Sequence, residues 1–203
     1  MSLGAIDLRA ARDQLDVARR LRDVPLTANV RGVWLAMAAD YVNKLGRTEA
    51  LAFRAAIPGR RRIPFMTYSL REYIEELAVA AAIANPKDPG EGMRQIWKSS
   101  APSYLSTPFG RSLLRLVLPS PLQYLKWLVD HRDHFCNYGK WHLVTHSEGY
   151  ATMEMEDEYI WLDYAHRGGA ESVLQVFGMA GSVEPEMRGP YSGALHVRWE
   201  PTS

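Results

Sequence analysis

The apolar residues of this chain change their dominant period at Tyr138-Gly139. Upstream they recur mainly at helical spacing, and downstream two alternating pairs flank one helical stretch. A chain patterned in this way builds a helical half followed by an antiparallel sheet, rather than alternating β–α units around a parallel one. Lys140 to Ser147 sets Trp141, Leu143 and Thr145 on one face and Lys140, His142, Val144 and His146 on the other. After Gly149, Tyr150 to Glu156 sets Ala151, Met153 and Met155 against Thr152, Glu154 and Glu156, so these two segments read as a hairpin. Glu158 to Ala180 returns to helical spacing after a break at Gly168-Gly169, with Val173, Leu174, Phe177 and Ala180 apolar. Ser182 to Arg188 and Gly193 to Trp199 form a second hairpin around Gly189-Pro190-Tyr191-Ser192, leaving the strand that ends at Trp199-Glu200-Pro201 on an edge. The expected fold class is α+β: a helical N-terminal half followed by a ββαββ antiparallel sheet with one packed helix.

The helical half begins with a charged amphipathic helix over residues 5–22, striped by Leu8, Ala11, Leu15, Ala18 and Leu21 and ended by Pro25. It reads as an N-terminal extension, 1–24, outside a single domain at 25–203. Asn29 to Val33 is extended, and Val33 to Leu45 is helical up to Gly46. Thr48 to Ile57 forms another helix, closed by Pro58-Gly59. Arg60-Arg61-Arg62 then reads as a solvated loop and Ile63 to Met66 as a short strand. Ser69-Leu70-Arg71-Glu72 is a capping box for a helix striped by Leu70, Tyr73, Ile74, Leu77 and Ala81. After a turn at Asn85 to Gly90, helices are expected at Glu91 to Lys98, at Thr107-Pro108 to Leu118, and from Ser120-Pro121 to about His134.

Hydrophobic residues make up 47% of the chain and charged residues 23%, which fits a globular domain with a real core. The formal charge is +1, from 24 basic and 23 acidic residues, so no overall field recruits nucleic acid or an anionic membrane. Asp7, Arg9, Arg12 and Asp13 interrupt any apolar leader, and no run is long enough to span a bilayer. Cys136 is the one cysteine, which excludes an internal disulfide and fits a reducing compartment. A soluble, cytoplasmic protein is expected.

The residue patterns give little support to an enzyme. His131 and His134, with Asp130, Asp133 and Cys136 nearby, resemble a metal cluster at the end of a helix, but a helix C-terminus favours histidine through its dipole alone. His142 and His146 on one strand face stand about 13 Å apart, too far for a shared metal. No nucleophile elbow, phosphate loop or dinucleotide fingerprint is present, and Cys136 and His134 diverge at a helix end. No catalytic residue is assigned.

The segment from Asp130 to Gly168 resembles the haem–nitric-oxide/oxygen-binding (H-NOX) family. That family carries a proximal histidine near a helix end with a Tyr seven residues later; here Asp130-His131 is followed by His134-Phe135, with Tyr138 seven after His131. Its propionate-gripping Tyr-Xaa-Ser-Xaa-Arg corresponds to Asp163-Tyr164-Ala165-His166-Arg167, in which only the arginine is kept and an acidic residue would oppose a propionate. Residues 25–200 also resemble an uncharacterised, mainly myxobacterial family. The features that carry this second likeness are Arg31-Gly32, Ser106-Thr107-Pro108-Phe109-Gly110-Arg111, Tyr138-Gly139 and Leu195-His196-Val197-Arg198-Trp199. The resemblance implies a non-catalytic sensing or interaction module of H-NOX-like fold with a degenerate haem site. It places a ligand pocket near His131, Tyr138 and Arg167, lined by Trp34, Met37 and Trp127, for a small apolar ligand. Haem held by His131 as axial ligand is the alternative. A protein partner or a second copy, recruited through the N-terminal helix or the Trp199 edge strand, is another.

Overall fold

The computed structural model describes residues 7–58, 62–101 and 120–200. It divides into two compact units, one running to Ile96 and one starting at Trp97, and each is described on its own.

In the first unit the Asp7 side chain accepts from Ala10 N–H at 3.0 Å and starts α1 (Leu8–Gln14). The expected continuous helix is broken at Asp16, which takes a left-handed conformation (φ 50°, ψ 40°), and α2 (Val17–Asp23) follows. Asp tolerates that conformation better than most residues. The break rephases the apolar stripe, so Ala11, Leu15, Val17 and Val24 are buried while Ala18 is exposed. Next come β1 (Asn29–Arg31), α3 (Gly32–Leu45) and α4 (Arg47–Ala56). Ile63 to Met66 is not the expected strand; β2 is Thr67–Ser69, antiparallel to β1 with Asn29 opposite Ser69. The carbonyls of Pro64 and Met66 instead accept from Val33 and Gly32 N–H, at 3.1 and 2.8 Å, and so satisfy the first turn of α3. Gly32 permits this approach, since a Cβ there would lie 2.1 Å from the Ile63 carbonyl oxygen.

Ser69 caps α5 (Leu70–Ala84) by accepting from Arg71 N–H at 3.2 Å. The predicted stripe is buried, and so is every residue from Glu76 to Ile83, which makes α5 the central helix of this unit. Glu76 is paired with Arg62, whose guanidinium also sits 4.9 Å over the Tyr68 ring. Arg62 is therefore a nearly buried ion-pair partner rather than part of a solvated loop; Arg60 and Arg61 lie outside the described residues. α6 is Pro89–Lys98. The helix expected at Thr107 to Leu118 also lies outside the described residues.

In the second unit Ser120 caps α7 (Pro121–Asp130), accepting from Gln123 N–H at 3.3 Å. The helix stops at Asp130, short of the expected His134: His131 is its C-cap and Arg132–His134 is a turn of 3-10 helix. Four strands follow in a sheet ordered β3-β4-β6-β5, all pairs antiparallel: β3 (Lys140–Ser147), β4 (Tyr150–Glu156), β5 (Gly181–Gly189) and β6 (Ser192–Trp199). The β6 strand ending at Trp199 is thus interior, hydrogen-bonded on both sides, and the expectation of an exposed edge there is corrected. A bulge at Val144, between the pairs Leu143–Met153 and Thr145–Thr152, swaps the faces of later residues. Thr145 joins the face of Thr152, His146 pairs with Ala151, and His142 and His146 do not share a face.

Between β4 and β5 a π turn (Leu162–His166) runs directly into α8 (Arg167–Val176). Gly168 and Gly169 lie inside this helix and do not break it. A Cβ on Gly169 would meet the Trp97 ring at 3.1 Å, so the glycine accommodates packing rather than a turn. The inner sheet face (Trp141, Met153, Met155, Leu195, Val197, Trp199) packs on Val173 and Leu174 of α8 and on Tyr124 and Leu125 of α7. Burial of each such large side chain is worth roughly 1.5–3 kcal/mol.

Candidate functional site

Gly139 turns the chain into β3 with φ +69°, and a Cβ there would stand 3.2 Å from the carbonyl oxygens of Glu156 and Asp157. Arg132 reaches back to donate to the carbonyls of Tyr138 and Gly139, which ties the 3-10 turn to the start of β3. The turn delivers Trp141 to the inner face, and its indole N–H donates to Glu158 Oε2 at 2.7 Å. Glu158 Oε1 accepts from Ile160 N–H at 3.1 Å, while Glu158 N–H donates to the Tyr191 carbonyl at 2.9 Å. The Glu158 side chain is fully buried. His166 Nε2 lies 3.3 Å from Glu158 Oε1, close enough for electrostatic contact but without hydrogen-bond alignment.

His166 is placed by the π turn, where the Trp161 carbonyl accepts from both Ala165 and His166 N–H at 2.8 and 3.1 Å. Such single-turn insertions re-aim a side chain and recur at functional positions. The His166 ring packs between two indoles, 5.0 Å from Trp97 and 5.2 Å from Trp141. Sequence reasoning assigned no role to Glu158 or His166. Glu158 stands among Glu154, Glu156 and Asp157, and no local pattern distinguishes the buried member of that acidic run.

Of the six residues predicted to line a pocket, Trp34 and Met37 are half-buried on α3 of the first unit. The other four lie in the second unit and fall into three local groups. Trp127 and His131 stack at 5.0 Å and 22°, and the Trp127 carbonyl lies 2.9 Å from His131 Nδ1. Tyr138 packs on Tyr159 at 6.0 Å. Arg167 Nε pairs with Glu171 Oε1 at 3.3 Å, and the other Glu171 oxygen is 3.8 Å from Lys98 Nζ. The aromatic run on α7 extends through Tyr124, 6.1 Å from Trp127, and through Phe135 at 6.0 Å.

Nucleophilic or metal chemistry has little to build on. Cys136 is buried, and burial together with the nearby Glu158 pushes its thiol up to about 12. A thiol held that far above neutrality is not a nucleophile at physiological pH. The His134 ring lies 5.5 Å from His131. Among the described residues no three His, Cys, Asp or Glu side chains converge on a point that could hold a metal ion. The same set contains no helix long and apolar enough to cross a membrane.

A second polar cluster covers the outer sheet face. His196 Nε2 lies 2.9 Å from Glu186 Oε2, and its Nδ1 lies 3.2 Å from Tyr150 Oη and 3.3 Å from Thr152 Oγ1. Hydrogen bonds from Arg188 and His196 hold the Glu186 carboxyl well below its usual range, at about 2. These are cross-strand neighbours on a solvated face, where such pairs stabilise a sheet.

The axial side of a haem site finds a candidate here and the propionate side does not. The contact between His131 Nδ1 and the Trp127 carbonyl would leave Nε2 as the remaining ring nitrogen. Arg167, however, is already paired with Glu171, and Ala165, fully buried, offers no donor. The donor set does not fit a doubly carboxylated macrocycle.

The chain is similar in structure to several solved H-NOX proteins. Unliganded Fe(II) H-NOX from K. algicida matches with a TM-score of 0.64 and 11% identity, over 85% of this chain and 97% of that one. An oxygen-binding H-NOX domain related to soluble guanylate cyclases, in its oxygen complex, matches with a TM-score of 0.62 and 14% identity, covering 84% and 93%. A variant of T. tengcongensis H-NOX matches at 0.60 and 14% identity, covering 84% and 98%. At these identities the likeness establishes an H-NOX-like fold, as expected from the Asp130 to Gly168 segment. No curated protein matches the chain. Residues 26–200 match the family described as "Protein of unknown function (DUF2378)", and the chain belongs to that family.

Proposed function

We propose that this protein is a non-catalytic sensing or interaction module that uses the H-NOX-like fold without haem. One observation carries the reading: the arginine kept from the propionate motif is committed to Glu171 within its own helix, and Asp163 and Ala165 stand where the family has donors. A ligand bearing two carboxylates would meet a cation already shared with Glu171 and an acidic side chain there. In place of haem, a small apolar molecule binds against the half-buried run of Trp127, His131 and Phe135 on the second unit, where aromatic faces supply contact area and the histidine edge a polar group. The raised Cys136 thiol supports the absence of thiol catalysis.

The test is an absorption spectrum of the protein expressed with haem supplementation, repeated for His131→Ala. A protein without a Soret band in both forms is the expected result. A Soret band in the wild type that disappears in the variant would overturn the reading and make His131 an axial ligand.

A further inference from the structure

Glu158 and His166 form a buried pair that is one hydrogen bond short of complete. The Glu158 side chain is fully buried and that of His166 is 5% exposed. Both Glu158 oxygens carry a donor already, Oε2 from Trp141 Nε1–H and Oε1 from Ile160 N–H. His166 Nε2 stops 3.3 Å from Oε1 and has no hydrogen-bond partner. An enclosed polar atom without a partner is costly, and an enclosed charge without a counter-charge costs more. The approach is built into the backbone. The extra residue of the π turn, seen in the bond from His166 N–H to the Trp161 carbonyl, aims the ring between Trp97 and Trp141 immediately before α8 begins.

The missing element is a proton. Neutral imidazole offers one N–H and one lone pair, so it cannot donate from both nitrogens. Imidazolium donates from both, and its charge turns a one-sided buried anion into a neutral pair. Among the described residues His166 is the one cation-forming group within ion-pair distance of Glu158. Of the neighbouring cations, Arg132 is engaged with the carbonyls of Tyr138 and Gly139 and with Asp133, while Arg167 and Lys98 both face Glu171. Asp163 on the π turn is a second acid, and the Cys136 thiol, raised to about 12, stays neutral. The inner face of β5 and β6 brings only apolar side chains, among them Val183, Leu195 and Val197.

We propose that Glu158 and His166 form a proton-operated latch: a proton taken from solvent by His166 closes the gap to Glu158 and draws the π turn, with α8 behind it, onto the Glu158 loop. Loss of the proton lets the turn relax. The proton is thus a second input to the module, independent of any ligand at Trp127 and His131.

The experiment is NMR of the full chain with labelled histidine rings, followed from pH 5 to 8, the range in which imidazole changes charge. Nuclear Overhauser contacts to the Trp97 and Trp141 rings identify His166. Its ring is expected to titrate in the folded protein, and the amides from Leu162 to Ala170 to shift with the same midpoint. Tryptophan emission should fall in step, because imidazolium quenches a neighbouring indole, and His166→Gln should abolish that step. In Glu158→Gln, which keeps the shape and removes the charge, the ring should still titrate while the amides no longer follow it. A His166 ring that does not titrate between pH 5 and 8, amides that stay fixed while it does, or coupling that persists in Glu158→Gln would each overturn the proposal. The first two outcomes are read from the wild type alone, so they decide the matter even if neither variant folds.

Discussion

Replacing Glu158 with alanine tests whether the buried carboxyl group organises the second unit. The substitution leaves two donors, Trp141 Nε1–H and Ile160 N–H, without the acceptor they now reach at 2.7 and 3.1 Å. Both lie in a region closed to water, where an orphaned donor costs roughly 1–3 kcal/mol. Their sum points to a loss of about 4 kcal/mol, or about 10 °C in Tm for a chain of this size. Trp141→Phe alone removes one donor together with its bond and should cost about 1–2 kcal/mol. In the Glu158→Ala background the same change should cost less, since the indole N–H it deletes is already orphaned, giving a coupling of about 1–2 kcal/mol. Urea unfolding followed by far-UV circular dichroism supplies all four corners of the cycle. A loss below about 1 kcal/mol for Glu158→Ala, or strict additivity of the pair, would refute the argument, because water or a rearranged neighbour would then be satisfying the donors.

Further outcomes are expected at Cys136, Glu186 and Gly139. With its thiol pushed to about 12, native Cys136 should resist iodoacetamide at pH 8 and react only after unfolding. Because the folded-state value lies above the ordinary one, the folded protein holds this proton longer; the stability it contributes is intact below about pH 9 and is lost as pH rises towards 12, which denaturant midpoints across that range would reveal. For Glu186, lowered to about 2, the sign is opposite: its contribution is present above pH 4.5 and lost as pH falls towards 2, and Arg188→Gln should move its NMR titration back towards the ordinary carboxyl range. Gly139→Ala should destabilise by about 1–3 kcal/mol, since it combines a positive φ with carbonyl oxygens 3.2 Å from the new Cβ; a neutral thermal melt would contradict this.

The alternation from Lys140 to Glu156 was enough to place both strands of the first hairpin at their observed ends, because a period of two survives any packing that buries one face. The caps at Ser69 and Ser120 were equally legible, since each works through a hydrogen bond to a neighbour two or three residues away. Where local rules were overridden, a distant partner did it. Asp16 breaks a pattern that is helical throughout, and the result lets Leu15 and Val17 both become buried. Pro64 and Met66 give up strand pairing because the start of α3 needs their carbonyls. Strand order was the least legible feature: nothing in the Trp199 strand itself says that it lies between β4 and β5.

The same division runs through the candidate sites. An α+β chain with a histidine near the end of a helix was legible in residue identity and short-range periodicity, and the resemblance to the H-NOX family added a propionate motif reduced to its arginine. Packing settled the rest: Arg167 is paired with Glu171, Glu158 alone of an acidic run is buried against Trp141, and Phe65 is exposed to solvent. Burial and pairing depend on residues far away in the chain, and no local pattern records which of several like side chains will be the one enclosed.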